Sequence, residues 1–189
     1  MALALKTAPA TEPITLAEAK LYLHADDSTV EDTLITAFIT AAREYCEDYQ
    51  NRAYVTQTWE LWLDDWPDDD FIRIPLSPLR AANSIKYYDT ANAVATMTAT
   101  DYFVDTKSNP GRVSLTYGMT WPTTTLRPAN GVVIEFEAGY GAVAAVPQTV
   151  KQAMLLHLSL LYEPCDAERG KQLTRARDAL LGMRRVVPV

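Results

Sequence analysis

Between Thr15 and Asn51 apolar residues recur at helical spacing. Thr15-Leu16-Ala17-Glu18 is a capping box, in which a hydroxyl and a carboxylate satisfy free N–H groups at a helix start. Leu16, Ala19 and Leu23 continue it as a short amphipathic helix, and His24-Ala25-Asp26-Asp27 breaks it. Ser28-Thr29-Val30-Glu31 is a second box, opening a long helix to about Asn51. Its predicted core stripe is Val30, Leu34, Ile35, Phe38, Ala42, Tyr45 and Tyr49, widened by Ile39, Ala41 and Cys46; Arg43, Glu44, Glu47 and Asp48 lie mostly off it. After Arg52 the period changes to two. Val55, Gln57, Trp59, Leu61 and Leu63 share a strand face, and shorter strands follow at 71–74, 84–88, 102–105, 112–115 and 131–138. Helix returns at Pro147; Val150 to Tyr162 is apolar nearly all round, which predicts burial on several sides. A last amphipathic piece covers about 174–183.

The expected fold is α+β: a helical core with an antiparallel β-rich insertion between the long helix and the buried helix. One domain spans 1–189, divided into N-terminal helices (14–52), β-rich insertion (53–146), buried helix (147–163) and basic tail (164–189).

Composition narrows the function. The chain is 48% hydrophobic and 22% charged, the balance of a folded protein. No run approaches the ~18 apolar residues that span a bilayer, and the N-terminus is too short and proline-broken for a signal peptide, so an intracellular protein is expected. The net charge of −7 is uneven: residues 1–163 sum to −10 and residues 164–189 to +3. An acidic body repels phosphate, which argues against a sequence-reading nucleic-acid binder, while the basic tail suits an acidic partner.

Chemistry is sparse. Cys46 and Cys165 form no metal knuckle or disulfide framework. His24 reads as exposed, and His157, in the most apolar helix, as a hydrogen-bonded core histidine. There is no Gly-x-Ser-x-Gly elbow, no HExxH and no paired CxxC. Cys165 to Gln172 ends in Gly170-Lys171 but lacks the first glycine and the Ser/Thr of a phosphate loop. Asp64 to Asp70 lacks the glycine and closing glutamate of a calcium loop and reads as a solvated hairpin tip. The expectation is no catalytic residue, no cofactor and no metal.

The order of segments resembles the tailed-bacteriophage head–tail connector (adaptor) family. The stretches that carry it are Ile14–Leu61, Ile72–Asp89, Asn109–Pro122, Val132–Gly141, Val146–Glu163 and Ala179–Val186. The family usually has a proline where Gly182 and Met183 stand here. The resemblance implies a structural virion protein, not an enzyme. It would assemble in the host bacterial cytoplasm and reside in the virion neck as a homo-oligomeric ring, twelvefold on the portal protein, bordered on the tail side by a stopper or tail-completion protein. DNA would pass through the lumen without sequence-specific binding or any membrane. Alternatives are another neck ring component, such as a tail-completion or stopper protein, and a small hydrolase, disfavoured by the missing constellation.

Two sets of residues are candidates for assembly. Leu156, Leu160 and Leu161 would pack the core or the ring, because obligate interfaces are apolar. In the tail, Arg175, Arg177, Arg184 and Arg185 would pair with carboxylates of the portal or a neighbouring subunit, and Val186 and Val187 would add a short strand to a sheet edge.

Overall fold

The computed structural model describes residues 1–25, 29–163 and 166–186. The chain forms two compact units: a sheet unit of Met1–Pro9 with Thr56–Gly139, and a helical unit of Ala10–Val55 with the described residues from Tyr140 onward. The sequence-based insertion began at 53; Ala53, Tyr54 and Val55 belong instead to the helical unit, where all three are buried.

The sheet unit holds eight strands: β1 (Ala2–Thr7), β2 (Gln57–Leu63), β3 (Phe71–Arg73), β4 (Leu79–Tyr88), β5 (Val94–Thr96), β6 (Tyr102–Asp105), β7 (Arg112–Leu115) and β8 (Val132–Ala138). They form a five-stranded sheet, β1-β2-β8-β4-β5, and a three-stranded sheet, β3-β7-β6, with every pairing antiparallel. Leu61 stands opposite Ile134, and Ile134 opposite Ile85, so three fully buried side chains cross the sheet in one row. Gly111 is required by close approach: a Cβ there would lie 2.4 Å from Leu79 Cβ, and its carbonyl accepts from Ile74 N–H at 2.8 Å. Two strands escape the sequence pattern. β1 is exposed at all six residues, and β5 pairs through only three.

The helical unit contains α1 (Leu16–Leu23), α2 (Asp32–Gln50), α3 (Gln148–Tyr162) and α4 (Ala167–Gly182). The first capping box forms as read: Glu18 N–H donates to Thr15 Oγ1 at 3.1 Å, and Thr15 N–H to Glu18 Oε2 at 2.7 Å. Of the second box, Ser28 lies outside the described residues, and α2 starts after Glu31 with no side-chain cap. His24 and Asn51 close α1 and α2 in the left-handed region, at φ 52° and 53°. α4 begins well before the expected 174, because the Asp166 carboxylate caps it, accepting from Glu168 N–H at 3.0 Å and Arg169 N–H at 2.8 Å.

The core joins Ile14, Leu23, Ile35, Ile39, Cys46, Val150, Met154, Leu158 and Leu181. Two expectations need correction. α2 buries Ile35, Ile39, Ala42, Arg43, Cys46, Glu47 and Gln50. Val30, Leu34 and Tyr45, read as core, are exposed, so the buried face is turned by about one residue, ~100°. α3 is not buried all round: its core face is Val150, Ala153, Met154 and Leu158, whereas Leu156 and Leu160 are half-buried and Leu161 is 38% exposed.

Candidate functional site

The charged residues of α2 that the sequence places off its core stripe build a buried polar chain. The Arg43 guanidinium reaches Glu12 at 2.8 Å and Glu47 at 2.7 Å. Glu47 also accepts from Tyr54 N–H at 2.7 Å. The Tyr54 hydroxyl donates to Gln50 Oε1 at 2.8 Å, and Gln50 Nε2 donates to the Leu181 carbonyl at 2.6 Å. Every member from Arg43 to Gln50 is buried, and burial pushes the Tyr54 phenol far above its ordinary pKa. The chain ties the segment before α1, both ends of the C-terminal half of α2, and the end of α4 into one body. The sequence signal was present as the 43, 47, 50 spacing of polar residues on one helical face with an Arg–Glu pair four apart.

A second cluster faces the other side of α2. Arg177 donates to His157 Nδ1 at 2.7 Å and pairs with Asp178 at 2.8 Å; its guanidinium lies 4.4 Å from the Tyr45 ring centroid. His157 stacks on Tyr45 at 4.2 Å. Burial first, then the adjacent guanidinium, lower the His157 pKa to about 4, so at neutral pH the ring is uncharged and Nδ1 accepts. This is a packed structural histidine. Burial pushes the Cys46 thiol up to about 12, away from nucleophilic use. Among the described residues no group of His, Cys, Asp and Glu is placed to hold a metal ion. The Asp64 carboxylate accepts from Asn130 N–H at 2.9 Å and the Asp65 carboxylate from Trp66 N–H at 2.8 Å.

The proposed assembly residues are divided by the structure. Arg175, Arg184 and Arg185 are exposed, with Arg185 lying 5.0 Å from the Tyr49 ring centroid. Arg177 is buried in its own unit and is unavailable as a docking cation, because its charge is already spent on Asp178, His157 and Tyr45. Val186 is buried too: its N–H donates to the Gln50 carbonyl at 2.9 Å and its carbonyl accepts from Asn51 Nδ2 at 2.8 Å. The Arg52 side chain bonds the Arg184 carbonyl. Val187 lies outside the described residues. The tail, read as a segment that docks on the portal or a neighbouring subunit, is packed on its own helical unit at Arg177, Leu181 and Val186.

A sequence model of the phage gp6-like head-tail connector protein family matches residues 13–109. The chain belongs to this family. The matched stretch runs from the capping box of α1 through α2 and on to the β6–β7 turn of the connector. No curated relative matches the chain. Among solved structures, a chain in the neck of an empty GTA particle computed with C6 symmetry superposes with a TM-score of 0.80 at 22% identity. The match covers 100% of this connector and 97% of that chain. A chain in the neck of the native GTA particle computed with C12 symmetry gives 0.79 at 22% identity, and one in the virion of the native gene transfer agent particle gives 0.79 at 21%, with the same coverages. The connector thus has the α+β fold of those neck proteins over its whole length. Among the described residues no helix is long and apolar enough to cross a membrane.

Proposed function

We propose that this head–tail connector assembles as a homo-oligomeric ring, twelvefold on the portal protein, that joins the portal to a tail-side stopper or tail-completion protein in the virion neck. DNA passes through the ring without sequence-specific contact. Family membership together with the full-length fold match to chains in GTA particle necks computed with C6 and with C12 symmetry supports this reading. The acidic balance fits a lumen that DNA traverses without being gripped, since gripping requires neutralised phosphates. Its role is mechanical and positional, with no turnover, cofactor or metal. The exposed Arg175, Arg184 and Arg185 are the cations that remain for pairing with carboxylates of the portal or a neighbouring subunit.

The test is native mass with and without the cognate portal, followed by microscopy of the assembled particle. A subunit ring seated directly beneath the portal is the expected result. A ring found only farther down the neck would make the chain a stopper or tail-completion protein instead.

A further inference from the structure

α2 and α4 each carry an outward face that their own unit leaves uncovered. On α2, Leu34, Ala37, Ala41, Glu44 and Asp48 are all exposed and follow one another by three, four, three and four residues. That is the spacing of a helix-packing seam. Leu34 is 49% exposed, and the adjoining Tyr45 ring is held rigid by His157 and Arg177. On α4 and its C-cap residue Met183, Arg169, Gln172, Ala176, Ala179 and Met183 are exposed at spacings of three, four, three and four, and Met183 is 66% exposed.

The two seams complement each other in reverse order. The α2 seam is apolar at its N-terminal end and small in the middle, and it ends in carboxylates. The α4 seam begins cationic, with Arg169 flanked by Lys171 and Arg175, is small in the middle, and ends at Met183. Each seam spans 15 residues, a rise of about 21 Å. We propose that α2 of one subunit packs antiparallel against α4 of the next, with Leu34 on Met183, the alanines facing each other at the crossing, and Glu44 and Asp48 on Arg169 and Arg175. The existing ion pairs of these charges are long: Arg43, itself held by Glu12 and Glu47, stands 3.4 Å from the exposed Glu44, and Glu163 stands 3.8 Å from Arg169.

A self-contact of α2 is the poorer solution. Antiparallel, it sets Asp48 against Leu34; parallel, it sets Asp48 against Asp48. Because the two seams are different surfaces, their contact is heterologous. It repeats from copy to copy and closes into a ring when the rotation allows. The inference rests on the ring reading and names the contact within it.

Pairs of chains that each carry one engineered cysteine, on a Cys165→Ser background that leaves only the buried Cys46, test it in rings assembled on the cognate portal. Leu34→Cys mixed with Met183→Cys, and Asp48→Cys mixed with Arg169→Cys, should each give a disulfide-linked dimer on oxidation. Leu34→Cys mixed with Arg169→Cys should not. A Glu44→Lys/Asp48→Lys chain should lose at least tenfold in ring yield, and adding Arg169→Glu/Arg175→Glu to the same chain should restore it. Far-UV circular dichroism checks that each variant keeps its helices. Rings without the two expected links, or with the Leu34–Arg169 link, overturn this contact while leaving the ring reading in place. Failure of the unmodified chain to form any ring overturns the ring reading and the contact together.

Discussion

Gln50 is fully buried and uses both ends of its amide, accepting from the Tyr54 hydroxyl and donating to the Leu181 carbonyl. Gln50→Leu removes both partners at once and leaves a buried hydroxyl and a buried carbonyl unpaired. The expected loss is about 2–4 kcal/mol in urea denaturation, the cost of two orphaned polar groups. His157 acts through its protonation state. Its folded pKa of about 4 lies below the ordinary value of 6.5, so the unfolded chain binds the extra proton more readily. The stability it contributes is complete above pH 6.5, falls as pH drops, and is lost by about pH 4. His157→Asn keeps an acceptor for Arg177 and removes the titration. Urea midpoints for the two proteins should therefore converge as the pH is lowered from 7.5 to 5, the wild type falling more steeply.

α3 shows how a helix can be apolar all round and still have one core face. Val150, Met154 and Leu158 recur every four residues and are sealed, while Leu161 at the last turn is open to solvent. Leu158→Ala should cost about 2–5 kcal/mol by leaving a cavity, and Leu161→Ala less than ~1 kcal/mol in the dilute subunit. Chemical denaturation of both variants side by side checks the contrast. Equal losses would mean that the last turn of α3 is sealed in solution. The same contrast bears on assembly: the half-buried Leu156 and Leu160 and the exposed Leu161 remain candidates for contact between subunits.

For the molecule as a whole, the C-terminal segment is a stay of the helical unit. Removing 174–189 takes away Arg177, Leu181 and Val186, all buried, and orphans Gln50, Asn51 and His157. The expected outcome is loss of cooperative unfolding and of helix content beyond the deleted residues, seen by circular dichroism. A truncated chain that melts as cooperatively as the full one would show instead that the tail is dispensable to the fold.

Much of this was legible along the chain. Capping chemistry at Thr15 and Glu18 acts over three residues, so the start of α1 could be read directly. Alternation placed Leu61 on one face of its strand, β-branched and aromatic runs placed Ile85 and Ile134 within strands, and the ordered segments pointed to the connector family. What tertiary structure decided was which of two apolar faces of α2 is buried. Hydrophobic periodicity favours any apolar stripe equally, but only the face carrying Arg43, Glu47 and Gln50 meets partners for its polar atoms, and a buried charge is tolerated only when paired. The same holds for Arg177. Its formal charge was countable from the sequence, whereas its burial depended on Tyr45 and His157 arriving from two other helices. β1 had too little pattern to announce itself, because none of its six residues is buried and its place comes from backbone pairing with β2. Local chemistry and period are written in the chain; the choice among competing faces is made by tertiary contacts, among them Gln50 with Leu181 and Tyr45 with Arg177, whose partners lie more than a hundred positions apart.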